Sequence, residues 1–302
     1  MRSSILLIFI GISLFSCKTI TLDDEQALAN IPEDIELIKI PAGAYSSGER
    51  GVIKYVEYDY MMMKYPVTNL QYLEFLKAAD SLKLIVIDSL GVYGEYKGDQ
   101  FWPPGYYPYI KFNSTYSRIG YYYPDVYFIK WRYVENRKEF YSNHPVTQVT
   151  WFGANAFAKF YGMRLPTAAE WEKAARANSG NQYPWGDTLL LNNANYKDSG
   201  DVYDNDTTPV GFYNGDSDLF DSYSPYGCYD MAGNVWEWTS SWWRDSSGKV
   251  IKGGSWNSSP NNSDSGSLLI YELMAWYEPA VGYLPENTSR EIGFRCIKDA
   301  SY

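Results

Sequence analysis

The chain has 302 residues, a net charge of −10 and a pI near 4.7, with 45% hydrophobic and 18% aromatic residues. That acidity and the lack of Lys/Arg clusters exclude a nucleic-acid partner, whose phosphates would require such clusters. The apolar content is ample for a core, and length alone allows one large domain or two small ones.

Residues 1–16 combine a basic start at Arg2, an apolar run from Ile5 to Phe15 and a small residue, Ser16, ahead of Cys17. That is the layout of a secretory signal, and the run is too short to cross a hydrocarbon core of about 30 Å as a helix. The LFSC ending resembles a bacterial lipoprotein cleavage site, which implies Cys17 as the lipid-bearing first residue of the mature chain. It also implies attachment to the membrane through that lipid, at the cell envelope and on the outer membrane. The alternative is an ordinary cleaved signal with an incidental cysteine. Residues 17–34 lack aromatics and carry Asp23, Asp24 and Glu25, so they read as the acylated cysteine and a flexible tether.

From residue 35 to 302 no linker-like break interrupts the sequence, which argues for one domain. ELIKIPAGAYSSGE (36–49) alternates and then turns at Gly43, reading as a strand followed by a loop. In YPVTNLQYLEFLKAAD (65–80), Thr68 and Gln71 form a capping box, and Leu70, Leu73, Leu76 and Ala79 predict one buried helical face. Residues 81–143 are long for a connection and dense in aromatics, among them Trp102, Tyr107, Tyr122, Tyr123, Trp131 and Tyr133. These rings suit either packing inside an enlarged domain or an exposed recognition surface. A second helix is predicted over TWFGANAFAKFYG (150–162), stopping at Gly162, and a third starts near Ala168 behind the capping box Thr167/Glu170. Beyond 178 helical periodicity fades and Gly, Asn, Asp, Ser and Trp dominate, so ordered loops and short strands are expected; the pattern alone reads as α+β and loop-rich.

Six segments occur in series: HPVTQVTW (144–151), RLPTAAEWEKAARA (164–177), YPWGD (183–187), YGCYDMAGNVWEWTSSWW (226–243), GGSW (253–256) and GFRC (293–296). The series resembles the formylglycine-generating enzyme, or sulfatase-modifying factor, family. The resemblance implies an α+β fold with C-type-lectin-like elements and low regular secondary structure. The piece YYPDVYFIKWRYVENRKEF (122–140), ahead of HPV, is similar to segments of Bacteroidetes gliding-motility lipoproteins. Where the oxidase members carry two copper-binding cysteines after GGS, this chain has Ser258 and Ser263. Thiolates are soft ligands for copper(I), whereas a serine hydroxyl is hard and protonated near neutral pH, so no copper is expected. Ser255 of GGSW is retained, but in the family it serves oxygen chemistry only beside the metal; alone it reads as a turn serine.

The resemblance implies calcium ligands at Asp230, Gly233, Val235 and Glu237, the glycine and valine giving carbonyls. Calcium takes six to eight hard oxygens, which such a loop can supply; the alternative is an acidic loop whose NVWEW aromatics only pack. A second calcium site would use Asn195, Tyr196, Asp201 and Tyr203, with Asp198, Asp204 and Asp206 blurring the register. The resemblance implies a bridge from the GFRC cysteine to one in the helix before RLPT, but the matching residue here is Ala158, leaving Cys228 and Cys296 as expected buried thiols. His144 is the sole histidine, so multi-histidine metal sites are excluded and it reads as a packing residue. Glu170 and Glu172 as an acid/base couple have no support beyond their charge.

These readings converge on a lipid-anchored, calcium-stabilised, non-catalytic member of the family that binds an envelope protein or glycan. The surfaces expected to do so are 81–143 and 257–292. The alternatives are a formylglycine-generating-type oxidase or divergent metal enzyme built from Cys228, Cys296 and His144, and a structural part of a gliding or secretion complex.

Overall fold

The computed structural model describes residues 27–112, 114–122, 126–203, 205–244, 248–259, 271–279 and 282–300. The signal segment, Cys17, Tyr123, Asp204 and Ser263 lie outside the described residues. Among those described, no helix is long and apolar enough to cross a membrane.

The domain opens with β1 (Leu37–Ile40), β2 (Gly43–Ser47), β3 (Val52–Val56) and β4 (Tyr60–Met63). The stretch after Gly43 is a strand and not the expected loop, because β3 returns antiparallel and pairs along its length. Residues 27–34, expected as tether, pack against the scaffold: the Leu28 and Ala29 amides donate to the Phe160 carbonyl, and Ala27 sits over Gly162.

Helix α1 (Asn69–Ser81) starts at the predicted capping box, with both reciprocal bonds between Thr68 and Gln71 formed. Leu73, Leu76 and Ala79 are buried with Tyr72 and Phe75, but Leu70 is exposed. Residues spaced by three drift around a helix of 3.6 residues per turn, and nine positions place Leu70 opposite Ala79.

The described residues of 81–143 form seven strands: β5 (Ile85–Ile87), β6 (Gly91–Tyr96), β7 (Gly105–Lys111), β8 (Ile119–Tyr122), β9 (Val126–Ile129), β10 (Trp131–Val134) and β11 (Arg137–Phe140). They make three small antiparallel sheets, β5-β6-β7, β8-β9 and β10-β11. The aromatics divide between the two expected roles. Tyr107 stacks on Phe152 with ring centroids 4.1 Å apart, and Tyr96 and Trp102 also meet Phe152. Tyr106, Tyr122, Trp131, Tyr133 and Phe140 face solvent.

Helix α2 (Trp151–Phe160) is capped by Thr150, whose amide donates to Tyr109 of β7. A Cβ at Gly153 would lie 2.3 Å from the Tyr109 carbonyl oxygen, so only glycine permits this approach of helix to strand. Helix α3 (Ala168–Arg176) begins at the second predicted capping box. After it no α-helix occurs among the described residues; they form β12 (Trp236–Trp242), β13 (Lys249–Lys252), a 3-10 turn at Tyr271–Leu273, β14 (Ile292–Gly293) and β15 (Ile297–Asp299). Strands β13-β12-β14 form one sheet and β1-β4-β15 another, bringing the two ends of the domain together. Phe294 of GFRC enters the core formed by Tyr72 and Phe157.

Lys249 ties the 81–143 region to this sheet. Its Nζ lies 4.0 Å from the Trp151 ring and 3.5 Å from that of Trp242, which also packs on Phe101. Burial pushes its ammonium pKa down to about 7, against the pull of Asp99. The unfolded chain keeps this proton to about pH 10.4, so the unfolded state binds more protons above pH 7 and stability rises with pH over that window. Urea unfolding at pH 6.5, 8 and 9.5 should show this rise in the parent protein and a flatter dependence in Lys249→Met. An equal slope in both proteins would refute it.

Candidate functional site

Gly253 and Gly254 both have positive φ, 99° and 72°, and carry the chain over the face of Trp171 into Ser255. Ser255 and Ser258 are both buried. Ser258 Oγ accepts from the Ser255 amide at 3.0 Å, and the Ser258 amide donates back to the Ser255 carbonyl. Ser255 Oγ donates to Glu291 Oε2 at 3.1 Å and accepts from the Asn257 amide, while Asn257 Nδ2 donates to the other Glu291 oxygen. The two hydroxyls therefore close a turn. No imidazole or amine among their bonded partners serves as a base.

The 81–143 region reaches this turn. Arg290 is held between two rings, 4.7 Å from Tyr116 and 4.5 Å from Trp256 of GGSW. Sequence reasoning missed both Arg290 and Glu291, which lie outside the quoted segments.

Cys228 and Cys296 are free and buried; burial pushes the Cys228 thiol up to about 11 and Cys296 well above its usual range. Ala158 is buried, at the position where a bridging cysteine would stand. His144 Nδ1 lies 3.0 Å from Thr207 Oγ1, and its ring meets Tyr141 and Tyr203 edge-on. Burial pushes its pKa down to about 4, so it is neutral at physiological pH. Among the described residues no group of three or more His, Cys, Asp or Glu side chains is arranged to hold a metal ion. Glu170 accepts from Arg164, Thr167 and Tyr58, and Glu172 from the Gly48 amide, so both serve packing.

The loop from Asp230 to Glu237 surrounds a buried ion pair. Arg295 Nη2 donates to Glu237 Oε1 at 2.7 Å and Arg295 Nε to Oε2 at 2.8 Å, where Trp171 Nε1 also donates at 2.8 Å. The remaining guanidinium hydrogens go to the carbonyls of Met63, Lys64 and Tyr229. Nε also lies 3.0 Å from Oε1, so three N–H groups share the two carboxylate oxygens, and the guanidinium already neutralises the charge that a cation would seek.

The Asp230 end is different. Its carboxylate accepts from the Gly211 amide at 2.7 Å, and burial pushes its pKa up to about 6. Asn234 Oδ1 is buried with no hydrogen-bond partner. Asn234 turns Nδ2, and not that oxygen, toward Asp230 Oδ1, 3.5 Å away. A hard cation therefore fits the Asp230 carboxylate, which no cationic side chain holds, better than Glu237 as Arg295 holds it. Asn234 was not among the expected ligands; its positive φ of 63°, next to Gly233, is a left-handed turn that asparagine adopts more readily than most residues.

The structure brings the two expected calcium segments together. The Asn195 carbonyl accepts from the Asn234 amide at 2.8 Å, and a Cβ on Gly233 would lie 2.2 Å from that oxygen. The second set is nevertheless occupied with its own loop. Asp201 accepts from the Tyr203 amide and from the hydroxyls of Ser199 and Tyr213, while the Tyr196 and Tyr203 carbonyls accept from the Ser199 and Asp206 amides. Asp206 has a different role: its Oδ2 receives Arg118 at 2.6 Å, Arg132 at 3.0 Å and the Tyr141 hydroxyl at 2.7 Å.

The inactive Cα-formylglycine-generating enzyme 2 of Bos taurus is 35% identical over 160 residues, covering 52% of this chain and 50% of that protein. The formylglycine-generating enzyme of Mus musculus is 34% identical over 178 residues, covering 52% of this chain and 45% of its own length. The chain thus spans about half the length of the curated relatives it matches. PvdO from Pseudomonas aeruginosa superposes with a TM-score of 0.56 at 19% identity, over 90% of this chain and 100% of that one, a likeness of fold alone. The expected α+β, loop-rich architecture is the one found. The sulfatase-modifying factor enzyme 1-like domain matches residues 25–300, nearly the whole chain, and the protein belongs to that family.

Proposed function

We propose that this protein is a non-catalytic, lipid-anchored member of the family that works by binding a protein or glycan at the bacterial cell envelope. One observation carries the reading. Where the oxidases have their first copper thiolate, Ser258 is a buried hydroxyl committed to the Ser255 amide, and a hydroxyl is a poor copper(I) ligand. Ser263, at the second position, adds no sulfur. A relative named as inactive is consistent with loss of chemistry on this scaffold. The exposed rings of residues 81–143 supply contact area at modest entropic cost.

Copper(I) titration of the detergent-solubilised protein, with oxygen uptake in the presence of a sulfatase-motif peptide, should give neither stoichiometric binding nor turnover. Finding both would sink the non-catalytic reading. Attachment through Cys17 is tested by growth with radiolabelled palmitate: label should enter the parent protein and be absent from Cys17→Ser. Equal labelling of the two would remove the anchor.

Calcium is proposed as a stabiliser held from the Asp230 side of the loop, with Asn234, Gly233 and Val235 as oxygen donors. Chelation with EGTA should lower the melting temperature of the parent protein by several degrees and leave Asp230→Ala unaffected. Glu237→Ala should be less stable by about 3–5 kcal/mol with or without calcium, because it strands a buried guanidinium. A parent melting curve indifferent to both EGTA and added calcium would rule the metal out.

A further inference from the structure

We propose that the groove between the β10-β11 hairpin and residues 200–219 binds an extended basic peptide of a partner protein, with Glu139 receiving its ammonium or guanidinium group. The inference deepens the reading of this chain as a binding protein and rests on it.

The groove has a volume of about 700 Å³, within the size of built ligand sites. Glu135, Glu139, Asp201 and Asp216 line it against a single cation, Arg137, and Phe212 supplies an apolar wall. Asp201 is spent on its own loop, as described above. Glu139 is not. Its side chain is 29% exposed, and both oxygens accept from the one hydroxyl of Tyr203 at 2.9 Å. No cation reaches it among the described residues: Arg132, its cross-strand neighbour, passes to Asp206.

A second observation points the same way. His144, 1% exposed, aims Nε2 at Glu139 from behind the groove wall, 3.5 Å from Oε1 and without a hydrogen bond. A neutral imidazole there leaves the carboxylate's charge uncompensated. The site is thus a partly desolvated anion with an open approach, where an incoming cation gains more than it would in water.

The backbone favours a peptide over a free amine. Strand β11 pairs only with β10, and among the described residues its outer edge, beside Glu139, carries no partner. An added strand can take its main-chain bonds from that edge while alternate side chains enter the groove.

The test uses the detergent-solubilised full chain and fluorescence anisotropy of a labelled ten-residue peptide of alternating Arg and Thr, with an alternating Glu and Thr peptide as control. The basic peptide should bind and the acidic one should not. Glu139→Gln, which keeps an acceptor for Tyr203, should weaken binding at least tenfold, and Glu57→Gln, outside the groove, should leave it unchanged. Glu135→Lys, on the exposed lip, should weaken binding as well, so the test survives if Glu139→Gln folds poorly.

No binding of the basic peptide, or equal losses in Glu139→Gln and Glu57→Gln, would overturn the proposal. So would displacement by spermidine at the peptide's own dissociation constant, which would make a free polyamine the occupant, or displacement by calcium. Capture of an envelope partner by the Glu139→Gln protein at full strength would sink the groove and spare the binding reading. Copper-dependent turnover would do the reverse.

Discussion

The pair of Arg295 and Glu237 is the constraint around which the scaffold is arranged. Two charges with almost no solvent contact are costly to bury, and they are tolerated only when their remaining hydrogen-bonding capacity is met. Meeting it recruits the whole domain. Trp171 brings helix α3, the Met63 and Lys64 carbonyls bring the end of β4, and Tyr229 brings the loop ahead of β12. Segments from both ends of the chain are thereby fixed around one ion pair. The separately spaced family segments WEW and GFRC are two halves of that single contact.

The 81–143 region is fastened by a second charged centre of different character. Asp206 gathers two arginines and a tyrosine from that region onto a loop of the scaffold, and its own carbonyl accepts from Asn195. Polar anchoring on the inner side leaves the outer side of the β10-β11 hairpin to Trp131, Tyr133 and Phe140, with Lys138 over two of the rings. The same strands therefore hold position through charge and present apolar surface to the exterior. An ordinary half-buried sheet divides its residues in the opposite way.

Local rules read well from the sequence. Both capping boxes are formed as expected, because an N-cap is decided by residues three apart. The series of family segments gave the fold, since each retains its place in the core. Less was legible where partners are distant. Nothing near Glu237 announces Arg295, 58 positions away, although a glutamate set between Trp236 and Trp238 in a buried strand demands some cation. Asp206 could not be told from Asp198 or Asp204 by type or spacing; only the arginines it meets distinguish it. Leu70 was misplaced by reading spacing of three as if it kept a constant face. The dense aromatics of 81–143 had no single fate to be read, as the same residue types fill the space under α2 and cover the hairpin's exterior.

The sheet β1-β4-β15 bears on how the domain responds to being pulled. Both β1 and β15 run antiparallel to β4, so they run in the same direction as each other on its two sides. Traction applied at the opposite ends of the chain would draw these flanking strands along their axes in opposing senses. The ladder bonds lie across that axis and would bear the load together, in shear, and would not open one by one like a zip. Such an arrangement resists the sliding of β1 and β15 past the strand between them.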